Sequence, residues 1–219
     1  SGTADGIGGA ARFNEPMGLT VDAAGHCYVA DSQSHTIRKI TPNGTVSTLA
    51  LSAQIPGGDD SELSDPELRL PNNVKIDSSG VLYVSDSGGN RIRKISPSGI
   101  VTTLAGTVDE PGSADGVGRA ARFYEPSGIA VDAAGNVFVA DSYNRTIRKT
   151  SPSGAVITIG GWPGLAGTSD GKGSSARFEY PVDVAVDQNG VVYVTDTVGN
   201  TIRKGVPGNA TPAPNSPAE

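Results

Sequence analysis

Short runs of hydrophobic residues, many of them β-branched, alternate with turns rich in Gly, Pro, Asn and Ser along most of the chain. In the clearest stretch these runs cover residues 128–132, 136–141, 146–149 and 155–159. Runs of this length bounded by turn residues are typical of β-strands. The pattern therefore predicts antiparallel strands joined by tight turns, with helix limited to a single turn near residues 120–123.

The whole pattern returns with a fixed period of 55 residues. Positions that carry the same residue in all four copies include Pro16, Pro71, Pro126 and Pro181; Asp22, Asp77, Asp132 and Asp187; Gly25, Gly80, Gly135 and Gly190; Asp31, Asp86, Asp141 and Asp196; Arg38, Arg93, Arg148 and Arg203. A fixed period indicates one supersecondary unit per repeat. Strands are predicted near residues 18–22, 26–30, 36–40 and 45–50 and at every 55th residue after them. Four antiparallel strands per unit form one blade of a β-propeller.

The stretch from Pro126 to Lys149 resembles the NHL repeat, with the pattern Pro-x-Gly-hydrophobic-x-Val-Asp-x-x-Gly-Asn-Val-Phe-Val-Ala-Asp-Ser-x-Asn-x-x-Ile-Arg-Lys. This resemblance implies an all-β propeller of four 55-residue NHL-like blades. The blades are expected at about residues 1–50, 51–106, 107–161 and 162–206. Similar repeats occur in RNA-binding ubiquitin ligases, sensor kinases, amidating lyases and extracellular proteins, so the resemblance implies a fold and leaves function open.

The fourth repeat departs from the pattern at its outer strand. The corresponding residues are Ala210-Thr211-Pro212-Ala213-Pro214, and proline cannot donate to a strand ladder. We interpret the chain as the end of a longer propeller, with a self-contained four-bladed ring as the alternative. Residues 207–219, rich in Pro and Ala, are predicted to be a linker or tail.

Composition narrows the classes of partner. The chain has 219 residues with 30 Gly and 15 Pro, and 17 Lys+Arg against 23 Asp+Glu give a net charge of -6. An acidic chain is not expected to bind nucleic acid. No apolar run approaches the ~18 residues that a membrane span needs. The N-terminal residues do not resemble a signal peptide, and the compartment stays open, with extracellular or periplasmic favoured over cytoplasmic.

Residues that recur in every blade are expected to serve folding. The repeated Asp at the end of the second strand is expected to accept backbone N–H bonds in the following turn, and the repeated Arg to form an inter-strand ion pair of small effect where exposed. Cys27, the single cysteine, is expected to be a buried small hydrophobe. An aromatic layer between blades is predicted from Tyr28, Tyr83, Phe138 and Tyr193. The loops before the inner strands are expected to be anchored by Phe13, Leu68, Phe123 and Phe178.

An Asp-Gly-x-Gly segment precedes the inner strand in several repeats, for example at residues 115–118. Such a segment suggests either a calcium or phosphate loop or an ordinary turn. A calcium loop needs several closely spaced oxygen ligands, whereas each copy has one constant Asp. The turn is therefore favoured.

A ligand site is expected where the repeats differ. Four similar blades create similar surroundings, so an asymmetric ligand can be oriented only by groups that differ between blades. The turns between the second and third strands and the loops entering each blade are expected to share one face around the channel mouth. The predicted ligand-binding residues on that face are Gln33, His35, Asn73, Lys75, Tyr143, Arg145 and Asp183. Solvated channel lining is the alternative for the axial ones.

Two functions are considered. The first is a non-enzymatic binding or scaffold propeller that presents its loop face to a protein, peptide or glycan, with no catalytic residue and no cofactor. The second is a metal-dependent lactonase- or lyase-like enzyme with a calcium or zinc ion at the channel mouth. His26 and His35 are the only histidines, so the multi-histidine zinc site of similar amidating lyases is not carried over. Further blades or another domain of the same parent chain are additional expected partners.

Overall fold

The computed structural model describes residues 1–49 and 67–206, which form four blades. Blade 1 contains β1 (Gly6–Ile7), β2 (Pro16–Val21), β3 (Cys27–Asp31), β4 (Thr36–Ile40) and β5 (Thr45–Thr48). Blade 2 contains β6 (Pro71–Ile76), β7 (Leu82–Asp86), β8 (Arg91–Ile95) and β9 (Val101–Gly106). Blade 3 contains β10 (Gly116–Val117), β11 (Pro126–Val131), β12 (Val137–Asp141), β13 (Thr146–Thr150) and β14 (Ala155–Gly160). Blade 4 contains β15 (Pro181–Val186), β16 (Val192–Asp196) and β17 (Thr201–Gly205).

Each blade is one antiparallel sheet, in the orders β1-β5-β4-β3-β2, β6-β7-β8-β9, β10-β14-β13-β12-β11 and β15-β16-β17. The all-β prediction and the 55-residue register are confirmed. The short strands β1 and β10 add an outermost strand to blades 1 and 3, which the hydrophobic pattern did not predict. The described helical segments are three-residue 3₁₀ turns, and one lies at Gly118–Ala120 instead of residues 120–123.

The predicted start of each inner strand, near residue 18 and its equivalents and so two residues after the proline, is wrong. The strand begins at the proline itself, and Pro16 pairs with Asp31 across a bulge that precedes Leu19. Proline is tolerated there because it is the first residue of the strand. The bulge changes the direction of β2 before its regular pairing with β3 begins at Leu19.

Neighbouring blades pack through a repeated apolar interface. We define the front of a blade as the side that contacts the preceding blade, and the back as the opposite side. At the junction of blades 3 and 4, Phe138 and Ile147 on the back of blade 3 pack with Val184 and Val194 on the front of blade 4. Equivalent buried clusters join blades 1 and 2 and blades 2 and 3. The core of the molecule therefore lies between the blades.

The repeated arginine is buried in blades 1 to 3, which corrects the expectation of a weak exposed ion pair. Arg148 donates to Asp141 at 2.7 Å and to Asp115 at 2.8 Å, and its guanidinium lies over the ring of Phe123 at 5.1 Å. The side chains of Arg148 and Asp141 are both 0% exposed. Removing one member would leave an uncompensated buried charge, so this pair costs far more to break than a surface pair.

The same network recurs in blade 1, where Arg38 binds Asp31 and Asp5. The Asp of the Asp-Gly-x-Gly segment is thus a partner of arginine in blades 1 and 3. The repeated Asp also accepts a backbone N–H, but from the loop 17 residues upstream and not from the turn after it: Asp31 accepts from Asn14 at 2.7 Å. Each network therefore fixes the loop that enters its blade.

The four sheets are not closed into a ring. Tyr193 on the back of blade 4 is 37% exposed, whereas its equivalents Tyr83 and Phe138 are buried at internal junctions. The prediction of a buried Cys27 is wrong for the same reason: its equivalent Leu82 lies under blade 1, whereas Cys27 is on the uncovered front of blade 1 and is half-buried. The outer-strand position of blade 4 and the predicted tail 207–219 lie outside the described residues. Within the described part, no helix is long and apolar enough to cross a membrane.

Candidate functional site

The turns between the second and third strands of the blades lie on one face with the loops that enter the inner strands. Backbone hydrogen bonds join the two in separate blades: Gln33 N–H donates to Asn14 O at 3.1 Å and Tyr143 N–H to Tyr124 O at 3.3 Å. We call this surface the loop face. The prediction that these two sets of segments share a face is confirmed.

Three tyrosines meet on the loop face where blades 3 and 4 join. The rings of Tyr124 and Tyr143 lie 4.9 Å apart between centroids with a tilt of 32°. Tyr143 and Tyr180 form an edge-to-face pair at 5.7 Å. Such geometries are favoured by the ring quadrupoles. We call these three residues the tyrosine cluster.

The tyrosine cluster is exposed although it is aromatic. Tyr124 is 39% and Tyr143 is 43% exposed, and Tyr180 is half-buried. Burial, together with Tyr143 and the charge of Glu125, raises the pKa of the Tyr180 phenol. The Tyr180 phenol is therefore uncharged at neutral pH, and the cluster presents ring faces and hydroxyl groups to solvent.

The positions that hold the cluster carry other residue types in the remaining repeats. They are Asn14, Arg69 and Glu179 for Tyr124, Gln33, Gly88 and Val198 for Tyr143, and Glu15, Leu70 and Glu125 for Tyr180. The blade fold therefore forms without an aromatic residue at any of these positions. The cluster is a local addition to one junction.

Arg145 lies in the same turn as Tyr143 but is oriented toward a different segment. Its Nη1 is 3.4 Å from the carbonyl oxygen of Gly164, in the loop that enters blade 4. Its backbone is in the left-handed region with φ 58. Arg145 is half-buried and borders the loop face beside the cluster.

Gln33 and His35 lie in the equivalent turn of blade 1, and both side chains are exposed. His35 Nδ1 accepts the backbone N–H of Leu70 at 3.2 Å. At the equivalent position in blade 2, Asn90 Oδ1 accepts the backbone N–H of Glu125 at 2.9 Å. His35 is thus part of a hydrogen bond between blades, and a role in ligand contact stays a prediction.

Lys75 and Asp183 line a shallow depression of about 300 Å³ formed by the inner strands β6, β11 and β15. Its other lining residues are Ile76, Ala130, Val131 and residues 184–186. Asp183 is exposed, and its Oδ1 accepts the N–H of Val184 at 2.9 Å. Opposite charges at the channel are therefore available to a polar ligand.

Asn73 does not line this depression. It is 8% exposed, and a Cβ built on Gly18 of the neighbouring inner strand would lie 2.7 Å from its Cα. Its buried Oδ1 has no hydrogen-bond partner. The seven predicted residues thus occupy separate places: the blade 1 turn, the packing between β2 and β6, the channel, and the blade 3 turn.

Among the described residues, His, Cys, Asp and Glu side chains form no group of three that could hold a metal ion.

Known proteins share sequence and structural similarity with this chain. The family model described as the NHL repeat matches residues 123–149 and 178–204, in blades 3 and 4. The chain carries NHL repeats. An alignment of 235 positions with NHL repeat-containing protein 2 of Bos taurus has 26% identity. It covers 92% of this chain and 32% of that protein. The chain is 33% identical over 130 residues to the chloroplastic protein SUPPRESSOR OF QUENCHING 1 of Arabidopsis thaliana, covering 55% of this chain and 12% of that protein.

A solved structure of a protein of unknown function from Bacteroides thetaiotaomicron has a similar fold, with a TM-score of 0.72 and 24% identity. The match covers 87% of this chain and 47% of that chain. This NHL-repeat chain therefore spans less than half of that structure and at most about a third of the two curated relatives.

Sequence reasoning found Tyr143 in this NHL-repeat chain but missed Tyr124 and Tyr180. Both lie in the loops just before the inner-strand prolines, outside the strand pattern. When the repeats are aligned with a spacing of 55 residues, each of these two positions holds an aromatic residue in one repeat and a non-aromatic residue in the other three. Differences between repeats in these loops are therefore the signal that could have found them.

Proposed function

We propose that the loop face is a non-catalytic binding surface for a protein, peptide or glycan, with the tyrosine cluster as its anchor. The observation that carries this proposal is an exposed aromatic cluster at one blade junction, at positions where the other repeats have other residue types. Tyrosine combines a large apolar face with a hydroxyl group and loses little side-chain entropy on binding. Such side chains dominate the binding energy of many interfaces.

The surroundings of the cluster add polar contacts. Glu125 lies close enough to Tyr180 to influence its pKa, and Arg145 lies two residues after Tyr143. A ring platform with both charge signs at its border suits a ligand that has an apolar face and polar edges. The central Lys75–Asp183 depression is at the lower end of the volumes usual for small-ligand pockets, so we regard it as a secondary contact.

The test is a binding screen of the full chain against a glycan array and a displayed peptide library. Tyr143→Ala should weaken any specific ligand by at least about 1 kcal/mol, or roughly fivefold, with unchanged unfolding. Ser153→Ala is the matched control, because Ser153 is exposed in the turn between the outer strands of the same blade. Equal losses of ligand affinity in Tyr143→Ala and Ser153→Ala would show that the binding site is on another surface.

A further inference from the structure

Two carboxylates adjoin the tyrosine cluster. Glu125 follows Tyr124 directly, and Glu179 precedes Tyr180 directly. Burial, Tyr143 and the charge of Glu125 together raise the pKa of the Tyr180 phenol, so the Glu125 carboxylate lies near that ring. Among the described residues, neither glutamate forms an ion pair. The cluster is therefore bordered by negative charge that this part of the chain does not neutralise.

Within the described residues, no cation of the chain lies over the rings of the cluster. Arg145 is two residues from Tyr143, but its Nη1 donates to Gly164 O at 3.4 Å. The Lys and Arg side chains that do lie over aromatic rings use other rings, namely Phe13, Tyr28, Phe123, Phe138, Phe178 and Tyr193. The faces of the cluster are thus open to a cation from outside the chain.

The interior of the blades shows which group an aromatic ring and two carboxylates hold in this protein. In blade 3 the guanidinium of Arg148 lies 5.1 Å from the ring centroid of Phe123 and pairs with Asp115 and Asp141. Blade 1 repeats the arrangement with Arg38, Phe13, Asp5 and Asp31. Guanidinium suits such a site because it is planar, stacks on rings and pairs with carboxylates. The tyrosine cluster and its two glutamates present the same kinds of group on the surface.

Hydrogen bonds to the backbone fix the loops that carry these groups. Asn90 Oδ1 accepts the N–H of Glu125 at 2.9 Å, and the Asp196 carboxylate accepts the N–H of Glu179 at 2.9 Å and of Tyr180 at 2.6 Å. A site whose backbone is already fixed loses less conformational entropy when a ligand binds. The cluster lies at the internal junction of blades 3 and 4, so both of its sides are present in the chain.

We propose that the tyrosine cluster binds an arginine side chain of a peptide or protein segment, with the guanidinium stacked on a tyrosine ring and paired with the Glu125 carboxylate. The inference rests on the proposed function and narrows its ligand to a basic one. Charge complementarity supports it, because the chain has a net charge of -6 and the border of the cluster carries unpaired carboxylates. A neutral glycan would use the rings but leave these carboxylates without a partner.

Three short Gly/Ser peptides that differ only in their central residues test the proposal on the full chain. Their centres are Arg-Leu-Arg, citrulline-Leu-citrulline and Glu-Leu-Glu, and citrulline keeps the shape of arginine without its charge. In isothermal titration the Arg peptide should bind at least about fivefold more tightly than the citrulline peptide, since only a cation gains from both the rings and the carboxylates. The Glu peptide should show no binding.

Variants locate the bound arginine. Glu125→Gln should weaken the Arg peptide several-fold and reduce the dependence of its affinity on salt. Glu15→Gln is the matched control, because Glu15 is the exposed equivalent of Glu125 in blade 1 and its loss changes the net charge equally. Tyr143→Leu keeps an apolar side chain but removes the ring, and it should also weaken the Arg peptide. Circular dichroism and thermal unfolding check that each variant folds as the parent does.

Equal affinity for the Arg and citrulline peptides, equal effects of Glu125→Gln and Glu15→Gln, or no binding of the Arg peptide would each overturn this inference. A neutral peptide or glycan that binds in place of the Arg peptide, and is weakened by Tyr143→Ala, would overturn it while leaving the loop face as a binding surface. A specific ligand that Tyr143→Ala does not weaken would contradict the proposed function itself.

Discussion

The Asp141–Arg148 network and the tyrosine cluster lie within a few residues of each other in blade 3 and have opposite properties. The network is fully buried and recurs in other blades, whereas the cluster is exposed and occurs at one junction. The network fixes the loop that carries Tyr124, since Asp141 accepts the Tyr124 N–H at 2.8 Å. The repeated part of the molecule thus positions the unique part, and the two should respond differently to substitution.

Breaking the buried network should have the largest effect on folding. Asp141→Ala leaves the Arg148 charge buried and partly unpaired, and should lower the free energy of unfolding by about 3 to 5 kcal/mol in urea titration. The exposed comparison is Asp170→Ala, because Asp170, the blade 4 equivalent of Asp115, pairs with Arg203 and its side chain is 93% exposed. Its loss should cost less than about 1 kcal/mol. Equal losses of unfolding free energy in the two variants would mean that burial does not determine how strongly an Asp–Arg pair stabilises the fold.

The aromatic residue under each arginine should show the same dependence on burial. Phe123 is fully buried at an internal junction, so Phe123→Ala should cost about 3 to 5 kcal/mol through the cavity it leaves. Phe13, its half-buried equivalent, lies at the uncovered front of blade 1. Phe13→Ala should cost clearly less by thermal and urea unfolding. A Phe123→Ala protein that unfolds like the parent would contradict the anchoring role.

Substitution in the tyrosine cluster should leave stability almost unchanged. Tyr143→Ala should shift the free energy of unfolding by no more than about 1 kcal/mol, because the ring is exposed and contributes mainly its contacts with Tyr124 and Tyr180. Differential scanning calorimetry measures this. A loss as large as that of Phe123→Ala would make the cluster a structural element and would weaken the proposed binding role.

The smallest expected effect concerns the turn after the inner strand of blade 1. Burial raises the pKa of Asp22, but hydrogen bonds from the His26 backbone and imidazole and from the Tyr28 hydroxyl outweigh it and hold the pKa at about 2, below the ordinary 3.8. A carboxyl with a lowered folded-state pKa stabilises the fold above its unfolded value, and this contribution disappears as pH falls toward 2.

Asp22→Asn keeps a side chain that can form the same turn but cannot titrate. The melting temperature of the parent should therefore fall more steeply between pH 4 and pH 2 than that of Asp22→Asn. Parallel melting curves over that range would show that Asp22 does not contribute to the acid sensitivity.

The repeated architecture could be predicted because every strand appears in several copies with one spacing, so errors in one repeat are corrected by the others. Features confined to one or two repeats were harder to predict. The strands β1 and β10 are two residues long and lie in glycine-rich segments, so hydrophobic alternation cannot identify them. The exposure of Cys27 depends on which blade covers it, and that is not encoded locally.

The candidate site was predictable only in part for a related reason. Tyr143 stands in a turn where the repeats visibly differ, but its contacts with Tyr124 and Tyr180 arise because two separate loops converge on that turn. Convergence of this kind depends on tertiary packing. Asn73 shows the converse: it differs from its equivalents because it packs against Gly18, so a break in the repeat can also serve packing.

The alternation of small and large residues along the inner strands sets a rule for changing the number of blades. A Cβ on Gly128 would lie 2.4 Å from the Cα of Asp183, closer than such atoms approach in proteins. Deleting blade 3 alone would bring Asn73 to the place of Gly128 and create this clash. Deleting blades 2 and 3 together would bring Gly18 to that place. Engineered or evolved variants of this chain should therefore gain and lose blades in pairs.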